Sequence, residues 1–272
     1  MVSERTRDEI ERLRLLSNRG VAGGSIGQHR SLHRLQFPPQ RLLVVLLLPM
    51  LFNLATWAVR NQIAAGWGEL FQFWFSRLGL AASVSQKIVG SGVFSIALPN
   101  AELATRVPDA PLWWLTLALV VVVWLASSQL PDRLMPLGYF LRFICIIQAS
   151  SLAFHAIMPS ADSLTVPEYI ESSFINGVWL ILLIPWLHGL VFYIFDFSLA
   201  QKASLTFLTV GFIVAALPMQ LIAHAWLLAE CSTIILPLLY LVFDQWLLIF
   251  SVIALYAWGM SWRQNHVDSN GH

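Results

Sequence analysis

The chain has 272 residues, 57% of them hydrophobic and only 11% charged, with a formal net charge of +1. A soluble domain carries roughly a quarter charged residues, so composition alone places the chain in a membrane, and its near-neutral balance speaks against a nucleic-acid partner, which calls for a basic excess. Its two cysteines, Cys145 and Cys231, both lie in or near apolar runs, which speaks against a disulfide framework or a thiolate metal cage.

The first 41 residues are charged rather than apolar, so the first hydrophobic run is expected to stay as an anchor instead of being cleaved as a signal. Thr6-Arg7-Asp8-Glu9 has capping-box spacing, and Ile10, Leu13 and Leu16 form a narrow apolar stripe, predicting a short helix from Arg7 to about Leu16. Gly20 to Gly27 reads as a flexible linker. Arg30, Arg34 and Arg41 then form a basic collar that signals topology and sits well beside anionic headgroups.

A bilayer's hydrocarbon core takes roughly 20 apolar residues of helix to cross. Runs of that kind occur at Leu42 to Val59, Pro111 to Leu130, Leu137 to Ile157, Ser173 to Phe195, Leu205 to Trp226 and Ile234 to Trp258. Helices are expected because backbone amides in lipid must be satisfied within the segment or in a closed barrel. Continuous runs such as Leu117-Ala-Leu-Val-Val-Val-Val-Trp124 lack the alternation of barrel strands.

Between the first two spans, Ile63, Trp67, Leu70, Phe71, Trp74 and Leu78 recur at helical spacing, with Gln62, Glu69, Gln72, Ser76 and Arg77 mostly between them. That pattern predicts an amphipathic interfacial helix over residues 63–80 rather than a further span. Ser83 to Val89 and Val93 to Leu98 flank Gly90-Ser91-Gly92 and predict a β-hairpin over residues 83–98. Residues 60–110 would thus form a small cap, offering a partner surface or packing on its own bundle. The fold class is therefore an all-α polytopic membrane protein: a six-transmembrane-helix bundle with an interfacial helix and a small hairpin between the first two spans.

Orientation follows from the distribution of charge. Arginine crowds the N-terminal segment, Arg133, Lys202 and Arg263 fall in loops on that same side, and Asp162, Glu168 and Glu171 lie in an opposite loop without Lys or Arg. The positive-inside rule then puts both termini in the cytoplasm, residues 263–272 forming a tail, with a bacterial inner membrane as the expected location.

Ionisable or amide side chains at membrane depth are costly and by default mark a pathway, a site or a helix contact. Asp244 lies near the middle of the last span, where a carboxylate costs roughly 2.5–3.5 kcal/mol to insert. Gln148 in the third span and Gln220 in the fifth are expected at similar depth, within reach of it. Gln148, Ser151 and His155 share one face of the third span; Gln220 and His224 stand one turn apart on the fifth. His188 lies toward the inner half of the fourth span, and Arg142 near the inner end of the third can snorkel or reach toward Asp244. These residues, Asp244, Gln148, Gln220, His188, Arg142, Ser151 and His155, make a candidate intramembrane polar site. They serve either as a path for protons or a small solute or as glue between helices. Pro185, Pro218 and Pro237 interrupt the last three spans, each freeing a carbonyl and kinking its helix.

No phosphate-binding Gly-Lys-Ser/Thr loop, no His-Glu-x-x-His and no Gly-x-Ser-x-Gly occurs, so no catalytic residue, cofactor or metal is assigned. His188-Gly-Leu-Val-Phe, followed by Ala203-Ser-Leu-Thr-Phe-Leu-Thr-Val-Gly211 and a mid-helix Leu217-Pro218, resembles the Yip-like small polytopic membrane proteins over about residues 135–262. The resemblance implies a membrane organiser, subunit or assembly factor that works through other membrane or envelope proteins. The alternative is a small-solute or proton-coupled transporter using Asp244 and its polar neighbours.

Overall fold

The computed structural model describes residues 39–92, 95–103, 108–157, 165–194 and 198–261. The helix expected over Arg7 to Leu16, the glycine linker, most of the basic collar and the tail at residues 263–272 lie outside them.

Helix α1 spans Pro39–Ala58 and α2 Arg60–Arg77; strands β1 (Ala82–Val89) and β2 (Ile96–Leu103) follow, then α3 (Ala110–Ser127), α4 (Met135–Ile157), α5 (Val166–Ile194) and α6 (Leu199–Cys231). The last helical run, α7, changes pitch along its length. It has a 3-10 turn at Thr233–Ile235, one α-turn at Leu236–Leu238, a π-helical stretch at Leu239–Asp244 and an α-helix at Gln245–Ser261. Among the described residues five helices are long and apolar enough to cross a membrane, and α1 with α2, bent by 56° at Val59, makes a sixth if the pair is one broken span. The protein is an all-α membrane bundle carrying a two-stranded sheet.

Local sequence explains the helix starts. Asp109 caps α3 by accepting from the Leu112 amide at 3.0 Å, with Pro111 in the first turn, where its missing N–H costs nothing. Ser198 and Gln201 form a reciprocal capping box on α6.

The helices stack in antiparallel order α1, α5, α6, α7, and small residues sit at the crossings. A Cβ on Gly189 would come within 2.9 Å of both Val45 O and Pro49 Cγ, and one on Gly259 within 2.6 Å of Leu205 Cδ2. Gly177 is likewise pressed against the Leu217 side chain. Helix α3 packs on α4, and α4 packs against the head of α7. Ser127 is the one buried residue of α3, leaving its Leu and Val faces for lipid.

Helices α5 and α6 have 29 and 33 residues. At 1.5 Å per residue they measure about 43 and 50 Å, well beyond a hydrocarbon core of about 30 Å. The cap covers the surplus. Ala64, Trp67, Phe71 and Phe75 of α2, Ile96, Leu98 and Ala101 of β2, Tyr169, Ile170 and Phe174 of α5, and Leu217 and Leu221 of α6 are buried in one core. The Trp67 and Phe174 rings stack at 5.1 Å, and Lys87 Nζ pairs with Glu171 Oε2 at 2.6 Å. The cap thus packs on its own bundle.

The hairpin differs from expectation in register. Val89 pairs with Ile96 and Ala82 with Leu103, so the second strand starts three residues later and runs past Leu98. Two glycines at positive φ, Gly90 (91°) and Gly92 (57°), turn the connection. Pro99 sits within β2 opposite Gln86, a position that a two-stranded sheet tolerates because each strand keeps an unpaired edge.

Candidate functional site

Proline within a helix removes one N–H and so strands the carbonyl four residues earlier. In this protein other elements dock at or beside those carbonyls. Pro218 strands Val214 O, and Trp67 Nε1 donates to it at 2.8 Å. Pro49 strands Val45 O, which lies against the bare Cα of Gly189. Pro185 strands Ile181 O, and the next carbonyl along, Leu182 O, accepts from Asn53 Nδ2 at 3.0 Å.

At the head of α7 the 3-10 pitch would pair Ile234 O with residue 237, which is proline. Gln148 Nε2 and Ser151 Oγ of α4 both donate to Ile234 O instead, at 3.0 and 2.7 Å. Ser232, buried at φ 72°, makes the sharp turn before it, and its hydroxyl accepts from the Ile234 amide. Where the π stretch returns to α, Gln220 Nε2 donates to the carbonyls of Phe243 and Asp244.

Asp244 stands at that return, 1% exposed. Its Oδ2 accepts from Ser173 Oγ at 2.9 Å, and one turn along α5 Tyr169 Oη shares a 2.6 Å hydrogen bond with His224 Nδ1. The Tyr240 ring lies edge-on to Tyr169 at 6.2 Å. Three i, i+4 pairs thus converge: Tyr169 and Ser173 from α5, Gln220 and His224 from α6, Tyr240 and Asp244 from α7. A carboxyl, a phenol and an imidazole gathered at one place could pass a proton among themselves.

The other residues singled out in the sequence fall elsewhere. Gln148 and Ser151 meet the head of α7, ten residues before Asp244, rather than Asp244 itself. His188 Nδ1 bonds Thr206 Oγ1 at 3.1 Å toward the opposite ends of α5 and α6. Arg142 Nε donates to Ser127 Oγ of α3 at 3.3 Å and does not reach Asp244. His155 is half-buried beside Phe154. Tyr169 and Ser173 escaped sequence reasoning because α5 was expected to begin at Ser173, leaving Tyr169 in a loop. Their four-residue spacing is the signal that could have found them.

Between the Asp244 cluster and the His188–Thr206 pair, about 22 Å apart along α5 by helical rise, the buried side chains include Ile181, Ile184, Val210, Ile213 and Leu217. Thr209 lies in this layer with its hydroxyl turned onto Leu205 O of its own helix. The two polar groups are separated by a largely apolar stretch. Among the described residues no three His, Cys, Asp or Glu side chains gather at metal-ligand distance. No protein-family model, curated protein or solved structure matches the chain.

Proposed function

We propose that this protein is a non-catalytic integral membrane component, a subunit, organiser or assembly factor that works through a protein partner at its cap. The largely apolar layer between the polar groups carries the reading: a proton or solute path needs polar continuity, and each buried cluster instead holds helices together. The Trp67 bond to Val214 O and the shared apolar core fix the cap to α5 and α6, so it is presented to a partner as a rigid platform. On it Ser85, Gln86, Lys87 and Ile88 of β1 are exposed, Ile88 at 71%, and a two-stranded sheet leaves each strand an edge able to accept an extended partner segment. The resemblance of about residues 135–262 to Yip-like proteins agrees with such a role.

On this reading the protein crosses the membrane several times with both termini cytoplasmic, most simply in a bacterial inner membrane, and the cap faces the other side. The second reading, a proton-coupled transporter, draws on one observation, the π stretch that ends at Asp244, because π-bulges cluster at functional sites.

A Gln86→Cys variant, with Cys145 and Cys231 replaced, tests orientation and partner together. In sealed native membranes a membrane-impermeant thiol reagent should label residue 86 from the non-cytoplasmic side. A photocrosslinker attached there should join one protein at near-stoichiometric yield, and Ile88→Asp should abolish the adduct. Labelling only after permeabilisation would reverse the orientation; exclusive crosslinking to lipid, or to many proteins indifferently, would remove the partner proposal.

A further inference from the structure

A cavity of about 550 Å³ lies between α1, the hairpin and α5, walled by Trp57, Val89, Ile96, Leu98, Val178 and Leu182 among others. That size is within the roughly 300–1,000 Å³ of ligand pockets in general. Trp179 also lines it and is 66% exposed, so the cavity opens at the surface there. Leu54 and Leu183, beside it on α1 and α5, are 64% and 51% exposed, which makes that surface the lipid-facing one. Trp57 and Trp179 lie toward the end of the α1–α5 pair that meets the hairpin, the level at which tryptophan marks the headgroup boundary. From there the cavity descends one turn to Asn53, whose bond to Leu182 O ties the two walls together.

We propose that this cavity holds one acyl chain of a bilayer phospholipid, seated in the seam between α1 and α5 beneath the hairpin. An apolar void of this size forfeits dispersion contacts on every wall, and in a bilayer the material at its mouth is acyl chain. No Asp, Glu, Lys or Arg is among the described residues lining it. Arg60, nearby, has its guanidinium over the Trp57 ring at 4.7 Å and donates to Ser95 O and Trp57 O. Nothing in the lining therefore selects a charged headgroup: the site reads the chain and is indifferent to the head. Because its walls include both the hairpin and the spanning helices, the bound chain is a component of the joint between cap and bundle.

The probe is a phospholipid with a diazirine midway along one chain, in nanodiscs of zwitterionic and of anionic lipid, with adducts mapped by mass spectrometry. Labelling of Ile175, Val178 and Leu182 should exceed that of the lipid-facing Leu119 and Val122 by about tenfold, as enclosure by protein on several sides implies. It should change by less than about twofold between the two headgroups, whose charge nothing in the lining meets. Val178→Trp, which fills the cavity, should reduce labelling there to the level at Leu119. As a check independent of that variant's folding, an unlabelled long-chain phospholipid should compete in the wild-type protein where a short-chain one of the same headgroup does not. Uniform labelling of cavity and α3 positions, competition independent of chain length, or a strong headgroup preference would overturn the proposal.

Discussion

Replacing Trp67 by alanine is expected to detach the cap, lowering stability by about 3–5 kcal/mol, the usual cost of deleting a buried aromatic side chain. Trp67 is 3% exposed, stacks on Phe174 and donates its indole N–H to Val214 O. Trp67→Phe helps to separate these contributions, because an aromatic ring remains to face Phe174 while the N–H is lost with the second ring of the indole. The half-buried Val214 carbonyl then has no donor, which costs about 1 kcal/mol, the low end for a group left unpaired. Pro218 is the reason that carbonyl is vacant, and Pro218→Ala restores a backbone N–H that can reach it. In the Pro218→Ala background the Trp67→Phe penalty should therefore shrink by about 1 kcal/mol, a coupling within the range found for groups in one network. Steric-trap or thermal unfolding in bicelles measures all four species; strictly additive penalties would show that the indole bond and the proline are independent.

Asp244→Ala should be nearly as damaging, at about 2–4 kcal/mol, because it leaves the Ser173 hydroxyl without its acceptor and opens a void at the meeting of α5 and α7. Asp244→Asn keeps an acceptor oxygen for Ser173 and should fold almost normally. If alanine and asparagine cost the same, the Ser173 bond is not what the carboxyl contributes. Tyr169→Phe removes the partner of His224 one turn away and should cost about 1–3 kcal/mol by the same reasoning. Because Tyr169 and Ser173 share one face of α5, the Tyr169→Phe and Asp244→Ala effects should not be simply additive.

Much of this architecture was legible from hydrophobic run length, since a membrane leaves the backbone few alternatives to helix. The amphipathic α2 and the hairpin were legible too, from periods of 3.6 and 2. Depth was where sequence reasoning lost its hold. Counting residues from span ends put Gln148 beside Asp244 on the assumption that every helix is centred in the bilayer. In fact α5 and α6 are longer than a hydrocarbon core is thick, and α4 meets α7 at its head, so equal counts do not mean equal height. The prolines were visible and their stranded carbonyls expected, yet they suggested kinks. What could not be read was what meets these carbonyls: Trp67, the donor to Val214 O, looked like part of an apolar stripe, and Asn53, the donor to Leu182 O beside Pro185, like an incidental polar residue in the first span. Pairing a proline with a donor on another element requires tertiary contacts that one chain's periodicity does not contain.

The claim on which the account rests is that the buried polar residues join helices and conduct nothing. Proton flux into proteoliposomes under an imposed pH gradient tests it, with wild type, Asp244→Asn and Tyr169→Phe side by side. The account predicts that none of the three exceeds protein-free liposomes. Wild-type flux well above that background, abolished by Asp244→Asn in a protein that still melts normally, would contradict it and make the cluster at Asp244 a transport site.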